Sequence, residues 1–288
     1  MRIRPASLAE AYVEVGPVRR APWWSPAGGR ARLRGALRGR RLRVFLLRWA
    51  TVLALIGVYE AITRLFFAGS LFLPPASEIF TRGMGVFVEE GVPEALQTTA
   101  VEYGIAFAVA TLIGLSCGAA LGAIPGARGV GRDLLQVLMA LPQIAIYPII
   151  ILFFGIGPGA KIVFGVTHGV FPIMLSTMSG VGEVEETLPR AIRAMGGGWV
   201  AVTWRAVLPS ALPSVLTGLR VGAKTCLLGV LLAELLSSVN GTGALVMMYS
   251  ANGRIPQLYA LTLGICVGAF AVNTLMTVVE RRLTRWRG

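Results

Sequence analysis

Six stretches of the chain are apolar over the length needed to cross a lipid bilayer, and they constrain the fold more than any other feature. A helix needs about 20 apolar residues to cross the roughly 30 Å of hydrocarbon in a bilayer. The stretches that meet this length are residues 44–67, 98–122, 134–154, 162–182, 212–238 and 258–279. The sequence therefore predicts an all-α integral membrane protein with about six transmembrane helices.

The composition supports a membrane protein over a soluble one. Only 14% of the 288 residues are charged and 55% are hydrophobic, whereas soluble domains carry about 25% charged residues. A net charge of +13 is also typical of nucleic-acid-binding proteins, but twelve of the 27 basic residues lie within the first 48 positions, beside the first apolar stretch. The positive-inside rule produces this placement. We therefore expect no nucleic-acid partner, and expect the basic flanks to face the lipid bilayer.

The basic residues also predict which way the chain crosses the membrane. Six spans leave both termini on one side, and this side, with its loops 123–133 and 183–211 and with Arg48 just inside the first span, holds 21 Lys or Arg against three in the opposite loops. Both termini are therefore expected in the cytoplasm. Residues 1–43, rich in Arg, Pro and Gly, are predicted as a disordered basic cytoplasmic tail, and residues 283–288 as a second basic tail. The three exceptions are Arg82, Lys161 and Arg254.

No motif for covalent chemistry is present. An ATPase needs a Gly-x-x-x-x-Gly-Lys-Ser/Thr loop around its phosphates, and the two lysines, Lys161 and Lys224, each follow an alanine. The single histidine, His168, has no acids and cysteines near it at metal-ligand spacing. The three cysteines lie singly inside apolar stretches and fit small core residues. We therefore expect no catalytic site, no metal site and no cofactor in this chain.

Charged and helix-breaking residues inside the spans are the candidates for a pathway or a gate, because such residues are costly in lipid. Each candidate has a structural alternative. Basic side chains can extend to the headgroups, the carboxylate can pair with a basic residue of a neighbouring helix, and the histidine can be neutral and packed. Both prolines of the third span are expected to break and bend it. The candidates are Glu234, Arg220, Lys224, Pro142, Pro148 and His168.

Glycines recur at four-residue spacing in four of the stretches. Small residues one helical turn apart let helix backbones approach closely in lipid. The pattern predicts tight packing between helices and says nothing about a substrate. The glycines are Gly114, Gly118 and Gly122, Gly165 and Gly169, Gly218 and Gly222, and Gly264 and Gly268.

The loop at 183–211 has the pattern of a docking element. Three glutamates precede Pro189, which indicates an acidic, proline-marked helix start. A short helix is expected to run to Met195 and to stop at three successive glycines, 196–198. A second amphipathic stretch follows over residues 199–207 and is expected to end at Pro209. A spacer needs neither the acidic start nor the glycine break.

These segments resemble a known family. The sequence PRAIRAMG at 189–196, followed by Pro209, resembles the EAA loop of type I ABC importer permeases. Among these permeases, the sequence resembles the nitrate/sulfonate/taurine branch most specifically. The resemblance covers about residues 70–282. Its ordered motifs are LPPASEI at 73–79, LPQIAIYP at 141–148, FFGIG at 153–157, FPI at 171–173, LPSALP at 208–213, and Ala233-Glu234 followed by GTG at 241–243.

The resemblance implies a type I ABC permease bundle in a bacterial plasma (inner) membrane, crossing it several times. It implies a homodimer docked on two separate ABC ATPase subunits, which bind ATP and Mg, and an extracytoplasmic solute-binding protein. Residues 44–92 would hold the first helix and an extracytoplasmic segment, and residues 93–282 the permease domain. The loop at 183–211 would carry a cytoplasmic coupling helix. Its expected coupling residues are Glu186, Pro189, Arg190, Ala191, Arg193, Gly196, Gly197 and Pro209.

Two residues of the loop depart from the family pattern. The family's glutamate falls on Arg190 and its second alanine on Ile192, and Glu186, one turn before Arg190, could supply the missing carboxylate. The implied cargo is a small solute such as a sulfonate, taurine, nitrate or a related nutrient, and its selection usually rests with the binding protein. An ion-coupled secondary transporter is the alternative. It would require inverted repeats and intramembrane acids, for which only Glu102 and Glu234 are candidates.

Overall fold

The computed structural model describes residues 28–67, 69–70, 72–237 and 239–284, with side chains from residue 43. Within these ranges the chain is helical and contains no β-strand. The predicted tail residues 1–27 and 285–288 lie outside the described residues. The helices are α1 (Gly28–Phe66), α2 (Ala76–Glu78), α3 (Val92–Ala123), α4 (Pro125–Ala140), α5 (Tyr147–Phe154), α6 (Pro158–Gly182), α7 (Thr187–Ala194), α8 (Trp199–Val202), α9 (Leu208–Ser237), α10 (Thr242–Ala251) and α11 (Ile255–Leu283).

The prediction of about six membrane-spanning helices is confirmed. In the described part of the chain, five helices are long and apolar enough to cross a bilayer, at Arg43–Phe66, Val92–Ala123, Pro158–Gly182, Trp199–Ser237 and Ile255–Leu283. A sixth span requires that two helices be counted together, since Pro125–Ala140 and Gln143–Phe154 meet at an angle of 78°.

The third span differs from its prediction as one apolar helix over residues 134–154. Leu141 adopts an extended conformation, with ψ of 141°, because a residue that precedes a proline is sterically excluded from the helical region. Pro142 therefore ends α4, as expected of a helix breaker. Pro148 does not break a helix, since it lies in the first turn of α5, where its missing N–H would have had no partner.

The chain divides into one unit that ends at Tyr59 and a second unit from Glu60 onwards. In the first unit the described residues form the greater part of α1. This helix begins at Gly28, so the prediction of disorder is wrong for residues 28–43. No proline follows Pro26 until Pro74, and Arg and Leu, which make up ten of the 16 residues at 28–43, are strong helix formers.

The second amphipathic stretch of the loop also differs from its prediction, because it does not end at Pro209. Residues Trp199–Ser237 form one continuous helix. A π-helical turn at Thr203–Val207 joins α8 to α9, and the Leu208 N–H donates to the Thr203 carbonyl five residues earlier. The wider turn changes the hydrogen-bond register just before the proline, which lacks a donor. The helix can thus continue through Pro209.

Helix α6 lies at the centre of the second unit and packs against both α3 and α9, which also contact each other. Close packing at small residues is confirmed for these three helices. A Cβ on Gly118 of α3 would lie 2.6 Å from the Met174 carbonyl oxygen, and a Cβ on Gly165 of α6 would lie 2.6 Å from Val230 of α9. The expectation is wrong for Gly268 of α11, which has no neighbouring atom within 4 Å of a Cβ.

Candidate coupling loop and buried polar network

The segment between α6 and α9 ends its short helix in a glycine-dependent turn. Helix α7 covers Thr187–Ala194. The Gly197 N–H donates to the Ile192 carbonyl at 2.9 Å and the Gly196 N–H to the Arg193 carbonyl at 2.9 Å. These two bonds define a Schellman motif, whose position after the helix cap needs a left-handed residue. Gly196 fills it with φ of +84°, so the short helix and its glycine stop are where the sequence predicts them.

The predicted coupling residues of α7 mostly face away from the bundle. Arg190, Ala191 and Arg193 are exposed and Pro189 is half-buried. Glu186 forms an ion pair with Arg190 one turn later, so the carboxylate that precedes the helix is paired with the residue that replaces the family's glutamate. Exposed pairs of this kind contribute about 0–1 kcal/mol. The pair therefore orients two side chains more than it stabilises the helix.

Large apolar side chains at the tip of the loop are exposed. Met195 is 79% exposed and Trp199 is 76% exposed, on either side of the three glycines. Apolar groups clustered on a surface commonly mark an interaction site. The underside of the loop borders a cavity of about 920 Å³, which lies between α7, the start of the α8–α9 helix and the ends of α3 and α6, and whose lining includes Arg128, Pro189, Arg193, Trp199 and Leu208.

Glu234 lies at the other end of the bundle and is fully buried. It accepts a hydrogen bond from the Thr99 hydroxyl at 2.7 Å and one from the Gly243 N–H at 2.8 Å. The Thr99 oxygen in turn accepts the Thr242 N–H at 2.9 Å. The carboxylate thus lies at the amino terminus of α10, where free N–H groups and the helix dipole favour negative charge.

This arrangement explains the GTG motif that follows the helix of Glu234. Gly241 has φ of +99° and lies against the Glu234 carboxylate, where a Cβ would overlap the carboxylate oxygens. Thr242 and Gly243 supply backbone N–H donors to the network. The motif therefore closes the turn from α9 into α10 around a buried carboxylate.

Lys161 is a buried residue that the sequence analysis placed in a loop, and that assignment is wrong. It is 1% exposed and lies in the first turns of α6. Its Nζ donates to Glu102 Oε1 at 3.0 Å and to the Asn240 carbonyl at 2.8 Å. The sequence did contain a signal for this helical position, because Lys161 follows Pro158 by three residues and proline commonly begins a helix. With Lys161 assigned to a helix, Arg82 and Arg254 are the basic residues that remain from the three counted in the loops of that side.

The remaining pathway candidates lie apart from this network. Arg220 pairs with Glu280 of α11 at 3.0 Å, and Lys224 is exposed one turn further along α9. His168 is half-buried; its Nδ1 lies 3.0 Å from the Phe164 carbonyl, and its ring centroid lies 4.5 Å from that of Phe164. The described structure brings none of these three side chains to Glu234 or to the coupling loop.

A polar contact also ties the segment before α3 to the turn before α11. Arg254 donates to Glu89 Oε1 at 2.6 Å and the Tyr249 hydroxyl to Oε2 at 3.2 Å. Burial, together with the nearby Glu89 carboxylate, raises the pKa of the Tyr249 phenol. The Glu89 hydrogen bond likewise raises the pKa of the Arg254 guanidinium. Tyr249 and Arg254 therefore both keep their protons at neutral pH, and the contact holds α10 and α11 against the segment before α3.

Comparison with solved structures gives the fold of this chain. An amino acid ABC transporter crystallised with histidines contains a chain that matches with a TM-score of 0.55 and 15% identity, over 70% of this chain and 96% of that one. A chain of the inward-facing MetNI methionine ABC transporter matches with a TM-score of 0.53 and 20% identity, over 71% and 99%. The helical bundle is thus that of ABC transporter membrane subunits.

Sequence comparison gives the family. The taurine transport system permease protein TauC of Escherichia coli K12 is 28% identical over 243 residues, which are 83% of this chain and 88% of TauC. The putative aliphatic sulfonates transport permease protein SsuC of Bacillus subtilis 168 is 29% identical over 153 residues, 53% of this chain and 55% of that one. Relatives of this kind are non-catalytic translocation components, which decides against an ion-coupled secondary transporter. The profile of the binding-protein-dependent transport system inner membrane components matches residues 110–285; the chain belongs to that family and is the permease subunit of an ABC importer.

Proposed function

We propose that this permease forms, as a homodimer, the membrane pathway for a small sulfonate, with taurine as the first candidate. The observation that carries the proposal is the similarity to TauC, which extends over 83% of this chain and 88% of that permease. Two copies of a separate ATPase, which bind ATP and Mg, would drive the transport, and an extracytoplasmic binding protein would deliver the solute.

The coupling step is assigned to the loop at 183–211. Its short helix, left-handed glycine and exposed Met195 and Trp199 form a compact protrusion on one side of the bundle. The side of the bundle that carries this loop also carries the excess of arginines, which supports a cytoplasmic location for the loop and for both termini. An ATPase dimer that closes on ATP would move this protrusion, and the bundle would then exchange between inward and outward states.

Reconstituted transport tests the substrate class. The permease, its ATPase and its binding protein are placed in proteoliposomes, and uptake of labelled taurine, an alkanesulfonate and nitrate is measured with ATP inside. Uptake of a sulfonate that depends on both ATP and the binding protein is expected. Uptake of nitrate alone would contradict the sulfonate assignment. Two differently tagged copies of the permease should co-purify, and failure to do so would contradict the homodimer.

Docking of the ATPase is tested by substitution at the loop tip. Gly196→Asp places a charge on the protrusion, and we expect co-purification of the ATPase to fall by about tenfold or more, because a buried unpaired charge at an interface costs several kcal/mol. Gly196→Ala is the matched control, since it carries the same left-handed strain at φ of +84° without the charge, and its Cβ meets no described atom within 4 Å. It should retain clearly more ATPase than Gly196→Asp does.

A second control separates docking from a general effect of added charge. Val88 is 87% exposed in the segment between α2 and α3, on the opposite side of the bundle, so Val88→Asp should leave ATPase association unchanged. Full ATPase association and uptake in Gly196→Asp would show that the loop is an ordinary connector.

A further inference from the structure

One arginine joins the ends of two spanning helices beside the coupling loop. Arg128, in the first turn of α4, donates from Nε to the Gly122 carbonyl at 2.7 Å and from a terminal guanidinium nitrogen to the Gly182 carbonyl at 2.8 Å. Helix α3 ends at Ala123 and α6 ends at Gly182. The last carbonyls of a helix have no partner within it and carry partial negative charge. A single guanidinium thus caps both helices.

The two accepting residues are glycines, of which Gly122 leaves no room for a side chain and Gly182 lies close to the arginine side chain. A Cβ on Gly122 would lie 2.7 Å from the Met178 carbonyl oxygen of α6, and a Cβ on Gly182 would lie 3.0 Å from Arg128 Cδ. The two helix ends therefore touch through their backbones, and the arginine side chain lies along the second glycine. Packing this close leaves little freedom for one end to move without the other.

The position of this contact relates it to the coupling loop. Gly182 is the residue immediately before the loop at 183–211, and Arg128 lines the cavity under α7 together with Pro189 and Arg193. Arg132, one turn further along α4, lies 3.9 Å from Glu183, but both of these side chains are mostly exposed. Arg128 is thus the half-buried link of the two, and Arg132 the peripheral one.

We propose that Arg128 is a positioning residue for coupling, which ties the start of the coupling loop to α3 and α6 so that displacement of α7 moves both helices together. The proposal rests on the coupling role assigned to the loop above. A planar guanidinium can donate to two carbonyls at once, whereas a lysine ammonium is a single point of charge. Loss of the contact frees the last turn of α6, and movement of the loop is then transmitted less effectively to the packed pair of α3 and α6.

The test compares Arg128→Gln with Arg132→Gln in the complete complex of permease, ATPase and binding protein. Three quantities are measured: co-purification of the ATPase, ATP hydrolysis, and substrate transported per ATP hydrolysed. Arg128→Gln should keep the ATPase bound and lower transport per ATP by about fivefold or more, in the range of typical coupling between sites. Arg132→Gln should leave all three unchanged, and Arg128→Lys should be intermediate because it restores the charge but not the bidentate contact.

Transport per ATP separates a positioning role from a merely structural one. If Arg128→Gln lowers the melting temperature but leaves transport per ATP at the level of the unmodified protein, the proposal is overturned. If Arg128→Gln does not assemble with the ATPase, Arg128→Lys is measured instead. Lower transport per ATP would then support the proposal, and transport per ATP at the level of the unmodified protein would overturn it. The coupling role of the loop is tested separately by Gly196→Asp. That role is wrong if the Gly196→Asp variant keeps its ATPase.

Discussion

At the residue scale, most charged groups inside the apolar helices are paired or hydrogen-bonded through a contact that the tertiary structure supplies. Glu234 accepts two short hydrogen bonds at the start of α10, Lys161 pairs with Glu102, and Arg220 pairs with Glu280. Charged groups within a membrane are costly when unpaired, so these contacts explain how the charges are accommodated. Lys224 differs, because it is exposed and forms no ion pair within the described residues.

The structural role of Glu234 can be tested without changing the size of the side chain. Glu234→Gln keeps an acceptor oxygen for the Gly243 N–H, while its amide NH₂ faces the Thr99 hydroxyl, which then donates to the Ala95 carbonyl 3.1 Å away instead. Because hydrogen bonds to a carboxylate are roughly twice as strong as neutral ones, we expect a lower melting temperature of the purified permease. The exposed Glu90 provides the control, as Glu90→Gln should leave the melting temperature unchanged.

Transport by the same variant distinguishes anchoring of α10 from a gating role of the charge. If Glu234→Gln transports at the normal rate and melts normally, neither role is supported. A normal melting temperature with lost transport would favour the pathway role predicted from the sequence over the anchoring role.

At the element scale, contacts at glycine hold α3 and α6 together. Gly114, Gly118 and Gly122 lie at successive turns of α3, and a Cβ on any of them would come within 3.0 Å of α6 atoms. The absence of side chains along this line lets the two backbones approach, and such close approach increases dispersion contacts between helices in lipid. Together with Arg128 at its end, this line makes α3 and α6 a single rigid pair.

Alanine substitution separates the packing role of these glycines from helix propensity. Gly118→Ala forces a Cβ to 2.6 Å from the Met174 carbonyl oxygen, and overpacking of this kind costs about 1–3 kcal/mol. Gly104 of α3 has no atom within 4 Å of a Cβ, so Gly104→Ala should be neutral or stabilising by about 0.5–1 kcal/mol. Thermal unfolding in detergent measures both, and equal melting temperatures for the two variants would contradict the packing role.

At the scale of the whole molecule, the distribution of charge and the fold agree on two chemically different sides. One side carries the coupling loop and the Arg128 contact. The other carries the Glu89, Arg254 and Tyr249 contact and the start of α10. Lys161 stays at the second side, in the first turns of α6, where it pairs with Glu102. The basic residues of the sequence remain in excess on the first side, and by the positive-inside rule this excess favours a cytoplasmic coupling loop.

Cysteine labelling from outside intact cells tests this orientation. Single cysteines at Glu90 and at Gly198 suit it, since Glu90 is exposed and Gly198 has no atom within 4 Å of a Cβ. The native Cys117, Cys226 and Cys266 are first replaced by serine or alanine. A membrane-impermeant maleimide should label position 90 in whole cells and position 198 only after permeabilisation. Labelling of both from the same side would contradict the topology.

The sequence by itself determined the local features of this permease. Hydropathy over about 20 residues located the spans because the bilayer sets the length of a helix, and Pro142 located the break in the third span. The end of α7 was predicted at Gly196 because a left-handed turn after a helix favours glycine. The family followed from ordered motifs, which are also readable without tertiary structure.

Only the tertiary structure decided which of the buried charges meet. The Thr99–Glu234, Lys161–Glu102 and Arg128–Gly182 contacts join residues 135, 59 and 54 positions apart. No local pattern relates residues at such distances, because the contacts depend on the order in which α3, α6 and α9 pack. Lys161 was therefore placed in a loop and Arg128 counted as one more cytoplasmic charge. Hydropathy tells where a helix lies in a membrane, but the packing of its neighbours determines which side chains it brings together.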